Sequence, residues 1–303
     1  LRHYSLQTEH TYCHWLKRFG AAALTMPAAW TREQKLEHWL SDMARGNCAA
    51  STQRQAFHAI LFFFKEVVRQ PLKDVDALRA QRPAFIRRAP SQAEARRLME
   101  SVEDVGGYPT RLLTHMLYGC GLRVSEPLKL RIRDVDFAGS RLVIAQSKGR
   151  KDRVVSIPCS LIPALRAQIT FARGVWERDH ASGIPCKLPG LLGKKYPAYE
   201  RAWTWFWVFP QHKPCWDQRD NRTVRWHLHE ANIQRAVRAA VQRLGIDGAL
   251  TPHHLRHGYA THLLERGANV RAVQAAMGHQ NLETTMGYIH ADALSVGSPL
   301  EST

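Results

Sequence analysis

The heptapeptide Thr251-Pro252-His253-His254-Leu255-Arg256-His257 sets two hydrogen-bond donors, His253 and Arg256, three residues apart. On a helix that spacing puts them on one face. Thr251 can cap such a helix and Pro252 suits its first turn, so both donors fall at a helix N-terminus, where the backbone also favours anions. Leu255, Tyr259 and Leu263 take another face, toward a core. A histidine-rich surface turn, or a core histidine satisfied by backbone, accounts for these residues equally well. Farther on, Gly278-His279 ends a helix, and Tyr288 follows nine residues later, after Asn281-Leu282-Glu283-Thr284-Thr285. A lone tyrosine is usually a packing residue, and a phenol with a pKa near ~10 is a poor nucleophile at neutral pH. Nearby Arg and His groups stabilise the phenolate and help remove its proton, so the pairing of the two segments matters more than either.

The chemistry that needs such a set is phosphodiester cleavage without a metal. It requires a nucleophile, cationic donors for the charge developing on the non-bridging oxygens, and an acid for the leaving oxygen. Arginine suits the second task because its guanidinium stays charged and forks onto phosphate.

Composition agrees with an anionic partner. Among 303 residues, 43 Lys and Arg stand against 26 Asp and Glu, a net charge of +17. That surplus makes a positive field that draws polyanions in, although RNA and anionic membranes fit it as well as DNA. The basic residues run along the whole chain, which suits an enclosing surface better than a tethering arm. No stretch approaches the ~20 apolar residues needed to span a bilayer; the longest run, Ala59-Ile60-Leu61-Phe62-Phe63-Phe64, is flanked by His58 and Lys65. No secretory leader is read at the start, and Leu1 in place of methionine is expected of a trimmed chain or gene fragment. The six cysteines (Cys13, Cys48, Cys120, Cys159, Cys186, Cys215) are scattered without a CxxC pair and read as reduced thiols of a cytoplasmic protein. None of the 16 histidines sits with cysteine at zinc-finger spacing, so no structural metal is expected.

The elements that must position the polar residues can be read in outline. The first 70 or so residues look helical: Tyr12, Leu16 and Phe19 make one stripe, Leu36, Leu40 and Met43 a second, and Phe57, Ile60, Leu61, Phe64 and Val68 a third, entered by Ser51 as N-cap. From Val75 to Gln92, prolines break helical continuity and Arg79, Arg82, Arg87 and Arg88 make the chain basic; this reads as an interdomain linker lying along phosphates. Ser91-Gln92-Ala93-Glu94 supplies a capping box. A helix over Thr110 to Tyr118 stops at Gly119-Cys120-Gly121, and a short one follows from about Arg123. Leu142-Val143-Ile144-Ala145 and Val154-Val155-Ser156-Ile157 read as a hairpin around Ser147-Lys148-Gly149-Arg150. Residues 185–221 look irregular and aromatic. An amphipathic helix runs through Ile233, Val237, Val241 and Leu244 to Gly245.

His253-x-x-Arg256, then Gly278-His279, then Thr284-Thr285-x-x-Tyr288-x-His290 resembles the C-terminal signature of the tyrosine recombinase (phage integrase) family. Gly121-Leu122-Arg123-Val124-Ser125-Glu126 looks like its first arginine motif, and Ser147-Lys148-Gly149-x-Lys151-Asp152-Arg153 like its lysine hairpin. The resemblance implies that Tyr288 attacks phosphorus to form a 3′-phosphotyrosyl bond while Arg123 and Arg256 clamp the phosphate oxygens. It further implies that Lys148 protonates the departing 5′ oxygen, His253 acts in proton transfer, His279 donates to the phosphate and Glu126 orients Arg123. The bond energy is held in the phosphotyrosine, so no cofactor, ATP or metal is implied. Pro127 stands where many relatives carry an aliphatic residue and is expected to alter the turn holding Arg123 slightly.

A second likeness concerns Leu188-Pro189-Gly190-Leu191, Lys195-Tyr196-Pro197 and Trp203-Thr204-Trp205-Phe206-Trp207-Val208-Phe209-Pro210, which looks like the additional element of integron integrases. Arg225-Trp226-His227-Leu228-His229, Gln234-Arg235-Ala236-Val237 and Tyr4-Ser5-x-x-Thr8-Glu9 continue that match. Trp205 aligns with a base-stacking tryptophan and His227 with part of a base-holding histidine pair, Trp226 replacing its neighbour. Aromatic side chains among Lys and Arg make platforms on which unpaired bases stack; an ordinary aromatic mini-core under a long loop is the competing account.

The resemblance implies a mainly α protein with a small β-sheet (α+β), forming a C-clamp around DNA. Its parts would be a helical core-binding domain at residues 1–78, a basic linker at 79–91, and a catalytic domain at 92–303 with the additional element at about 186–222. Expected DNA-contacting residues are Arg87, Arg88, Lys195, Trp203, Trp205, Trp226 and His227. Expected partners are attachment-site DNA, including folded single-stranded cassette sites, and further copies of the chain, four in the synapse, in a bacterial cytoplasm at the nucleoid and without a membrane. Two other readings stay open: a type IB topoisomerase-like strand nicker, and a catalytically idle nucleic-acid-binding protein.

Overall fold

The computed structural model describes residues 6–81, 89–145, 152–246 and 250–278. The chain divides into two compact units, Leu1–Ile86 and Arg87–Thr303.

The first unit is built on helices α1 (Leu6–Leu24), α2 (Arg32–Arg45) and α3 (Ala50–Phe62). Their inner faces bury Trp15, Phe19, Leu36, Trp39, Leu40, Ala56, Ala59 and Ile60 in one core. Thr31 and Gln34 form a capping box at the start of α2. The N-cap of α3 is Ala49, in extended conformation and without a side-chain bond, and not Ser51, which lies inside the first turn. The helix continues as a π-helical turn, Phe63–Val67. Residues 68–81 have no regular structure, yet they are strapped to the bundle. The Asp76, Leu78 and Ala80 N–H groups donate to Glu37 Oε1, Ser41 Oγ and Gln53 Oε1 at 2.9, 3.0 and 2.9 Å. Backbone groups without a ladder need such partners.

The second unit is mainly helical with two small antiparallel sheets, as the α+β class requires. Helix α4 (Gln92–Ser101) opens on the expected Ser91–Glu94 capping box. Helix α5 (Thr110–Gly119) ends before Gly121, whose φ of +61° suits glycine. Helix α6 (Ser125–Leu128) is a single turn. Pro127 falls where helical N–H groups have no intrahelical partner, so its missing donor costs the turn nothing. Strands β1 (Val135–Asp136), β2 (Arg141–Ile144) and β3 (Arg153–Ser156) form one sheet, with Leu142 paired to Val155. Helix α7 (Ile162–Ala181) follows.

The segment read as irregular contains helix α8 (Leu192–Lys195) and a hairpin of β4 (Cys215–Asp217) with β5 (Arg222–Val224). A buried ion pair, Arg225 Nε to Asp179 Oδ2 at 2.6 Å, ties this segment to α7. Helices α9 (Glu230–Leu244), α10 (Pro252–Glu265) and α11 (Val270–Met277) complete the described unit. Leu98, Leu113, Leu117, Leu142, Ile233, Val237 and Leu255 lie in its main core. Val273 and Met277 pack α11 onto Ala260 of α10 in a satellite cluster. Among the described residues no helix is long and apolar enough to cross a membrane. The six cysteines are unpaired.

Candidate active site

Arg123 sits between α5 and α6, and Glu126 reaches back to it from α6. The Glu126 carboxylate accepts from the Arg123 N–H at 2.7 Å and from Arg123 Nη1 at 2.8 Å. It also accepts a fork from Arg153 on β3, Nη1 to Oε1 at 2.9 Å and Nη2 to Oε2 at 2.7 Å. Arg256 Nη1, on the first turns of α10, lies 3.7 Å from Glu126 Oε2. One carboxylate thus organises three guanidinium groups. Burial by itself would push the Glu126 carboxyl up; the Arg153 and Arg123 hydrogen bonds outweigh that and hold it at about 2.

The same three arginines meet the end of α11. Arg153 Nε donates to the Ala276 carbonyl at 2.7 Å, Arg256 Nη2 to that of Met277, and Arg123 Nη2 to that of Gly278 at 3.2 Å. The last carbonyls of a helix lack intrahelical partners and carry the negative end of its dipole, so cations suit the place. Gly278 closes α11 at a φ of +62°. Arg256 is 2% exposed and also donates to the Gly121 carbonyl. Arg123 remains 32% exposed. His253 lies exposed in the first turn of α10, one turn before Arg256. Thr251 N donates to His254 Nδ1 at 3.1 Å, which fixes that turn.

The structure therefore brings together Arg123, Glu126 and Arg256, with Arg153, which sequence reasoning had only as a motif position. Lys148, His279, Tyr288, Arg87 and Arg88 lie outside the described residues. Chemically, a cluster with net positive charge and one outward guanidinium is a receptor for an anionic oxygen.

A family model described as the phage integrase family matches residues 90–294. The chain belongs to the phage integrase family. A second model, the phage integrase N-terminal SAM-like domain, matches residues 1–74. An integrase/recombinase of Escherichia coli is 38% identical over 308 residues, covering 99% of this chain and 90% of that protein. Tyrosine recombinase XerD of Mycobacterium leprae is 31% identical over 250 residues, covering 79% of this chain and 69% of its own. In fold, the chain is similar to the Tn1549 transposon integrase solved with transposon right end DNA, at a TM-score of 0.66 and 16% identity, covering 97% of this chain and 92% of that one. It is likewise similar to a lambda integrase dimer bound to a core site, at a TM-score of 0.62 and 16% identity, covering 95% and 89% of the two chains. The protein is a tyrosine site-specific recombinase.

The recombinase's aromatic segment is joined to the arginine cluster through residues 130–134, just after α6. Val208 N donates to the Leu130 carbonyl and Ile132 N to that of Phe206, each at 3.0 Å. Arg131 donates to the Trp205 carbonyl at 2.7 Å and the Lys187 carbonyl at 2.8 Å. The predicted aromatic residues then part company. Trp203, partly buried, packs against a mini-core, 5.8 Å edge-on from Trp176 and 6.2 Å from Phe206. Trp205 instead ends an outward stack: Tyr196 on Tyr199 at 5.1 Å, Tyr199 on Trp205 at 5.4 Å, and the Arg133 guanidinium over Trp205 at 4.4 Å. Tyr196 and Tyr199 are 41% and 39% exposed, and Lys195 Nζ is 5.3 Å from the Tyr196 ring. The sequence names Tyr196 only within the Lys195-Tyr196-Pro197 motif and does not mark Tyr199 or Arg133, because only the fold stacks the three together.

His227 lies edge-on to Trp207 at 4.9 Å and to Trp226 at 5.8 Å. Its Nδ1 is 2.7 Å from the Leu228 carbonyl and so carries the proton. Burial, abetted by Lys129 and Arg131, depresses the imidazole to about 4. His227 is thus neutral at pH 7, with Nε2 an acceptor.

Proposed function

We propose that Tyr288 attacks the scissile phosphate, with Arg123 and Arg256 holding its oxygens and Glu126 fixing Arg123. Lys148 protonates the leaving 5′ oxygen, His253 transfers protons and His279 donates to the phosphate. The observation that carries this reading is the Glu126 carboxylate gripping Arg123 at 2.8 Å beside Arg256, at the end of α11 that leads directly to His279. A suicide oligonucleotide tests it. Wild type should leave a denaturant-resistant protein–DNA adduct and Tyr288→Phe none; an adduct surviving that change would end the assignment.

The finer reading is an integron-type substrate. The recombinase inserts and excises gene cassettes, recognising a folded single strand by unpaired bases at the element spanning about residues 186–222. The outward stack of Tyr196, Tyr199 and Trp205 with Arg133 and Lys195 supports this, since bases of any sequence stack on such surfaces. His227 Nε2 would accept from a base N–H, with Trp226 beside it. Residues 1–78 would grip DNA, the linker at 79–91 would run along phosphates through Arg87 and Arg88, and several copies, four in the synapse, would assemble on DNA at the nucleoid. Affinity for a cassette hairpin against the same sequence as duplex, at matched salt, tests the substrate; equal affinities would remove the case.

A further inference from the structure

The Arg123, Glu126 and Arg256 cluster is held from behind by a residue to which the proposed mechanism assigns no role. Arg153 is 8% exposed, on the first position of β3, two residues after Lys151 of the lysine hairpin. It spends its guanidinium entirely on the protein: both Nη atoms on Glu126, at 2.9 and 2.7 Å, and Nε on the Ala276 carbonyl, at 2.7 Å. One rigid planar group thus touches the carboxylate that orients Arg123 and the end of the helix that precedes His279. It does so from the strand that leaves the Lys148 hairpin. A lysine has no such fork and satisfies only part of this set.

We infer that Arg153 is a positioning residue for strand cleavage, setting the Arg123 side chain through Glu126 and the α11 terminus through the Ala276 carbonyl. The inference rests on the catalytic roles proposed above for Arg123 and Tyr288. Buried behind Glu126, Arg153 does not meet DNA. Its effect falls on the rate of the bound complex, not on binding. Without it Glu126 keeps its burial but loses its forked partner, and its proton affinity rises. Cleavage then acquires a dependence on acid beyond that which the histidines give the wild type.

The test is single-turnover adduct formation by the full chain at saturating suicide substrate, with DNA affinity measured separately. Arg153→Met should slow adduct formation roughly 100-fold, the size of a misplacement of about 1 Å in the reacting groups, while affinity stays within about twofold of wild type. Its rate should fall more steeply than that of wild type as pH drops below neutrality, because Glu126 takes up a proton in addition to the histidines that titrate in both. Glu126→Gln should slow the step comparably, and the double variant should be no slower than the worse single, because both cut one link. If Arg153→Met fails to fold, Arg153→Lys and Glu126→Gln carry the same comparison. Wild-type rates in Arg153→Met or Arg153→Lys at saturating DNA, or a double variant equal to the product of its singles, would overturn the inference. Tyr288→Phe run alongside separates the cases: an adduct there sinks the catalytic assignment itself, whatever Arg153 does.

Discussion

Arg131 lies face-on to Trp207, its guanidinium carbon 3.1 Å from the ring centroid. The residue is 6% exposed, and burial pulls its pKa down to about 10, so it is still charged at neutral pH. Its donors go to the Trp205 and Lys187 carbonyls and, at 3.1 Å, to Cys186 Sγ. A cation is therefore the nail that holds the aromatic element to the segment following α6. Arg131→Met leaves the Trp205 and Lys187 carbonyls with only the long contacts of the Cys186 thiol, at 3.6 and 3.9 Å, and loses the ring contact, a cost of about 2–4 kcal/mol. Urea unfolding and limited proteolysis should show cuts gathering between residues 186 and 210. A melt and a digest like those of wild type would mean that the cation is incidental.

Gly121 offers a second handle. A Cβ there would stand 2.4 Å from the Tyr259 ring, at a φ of +61°. Overpacking and left-handed strain together predict a loss of about 2–4 kcal/mol for Gly121→Ala. The Gly121 carbonyl also receives Arg256, so cleavage should slow along with the loss in stability. Adding Tyr259→Ala removes the clash but leaves the strain, and recovery should be partial. Full recovery of both melting temperature and adduct rate would show that the backbone conformation is not strained by alanine.

What the sequence disclosed and what it hid divide along chain separation. The Ser91 capping box, the stop at Gly121 and the Gly245 closure of α9 are local, written within a few residues of where they act. The identities of Arg123, Glu126 and Arg256 were legible from motif spacing. The grip of Arg153 on Ala276 spans 123 positions and that on Glu126 27, so no local pattern marks them. Helix α7 went unread because Pro163 stands near its start and its apolar stripe of Leu165, Ala172 and Val175 is diluted by arginines. Strands β1, β4 and β5 have two or three residues each, too few for an alternation to register.

Acid should destabilise the recombinase in two separable windows. His227 is depressed from 6.5 to about 4, so the unfolded chain takes its proton first and stability falls as pH drops from about 6.5 to about 4. Glu126 is depressed from 4.5 to about 2, and its contribution, complete above about 4.5, is lost as pH falls through about 2. Melting temperatures measured across this range should lose the upper slope in His227→Gln and show a shallower lower one in Glu126→Gln, the remainder being carried by carboxyls such as Asp217 and Asp220, which Lys187 also holds low. If His227→Gln titrates like wild type between those limits, the imidazole is not held neutral by its surroundings.

Trp203 and Trp205 are two residues apart and should respond oppositely to truncation. Trp203 is packed against Trp176 and Phe206, with Arg173 5.0 Å from its ring, so Trp203→Ala removes core volume and should cost about 3 kcal/mol of stability. Trp205 faces the outward stack under Arg133. Trp205→Ala should therefore spare the melt and weaken hairpin binding by about 1–3 kcal/mol per stacked base. Cleavage of a saturating duplex site should continue in Trp205→Ala, because Arg123, Arg256 and Glu126 are anchored elsewhere. Equal losses of stability in the two variants, or hairpin affinity unmoved by Trp205→Ala, would return the stack to the status of a surface mini-core.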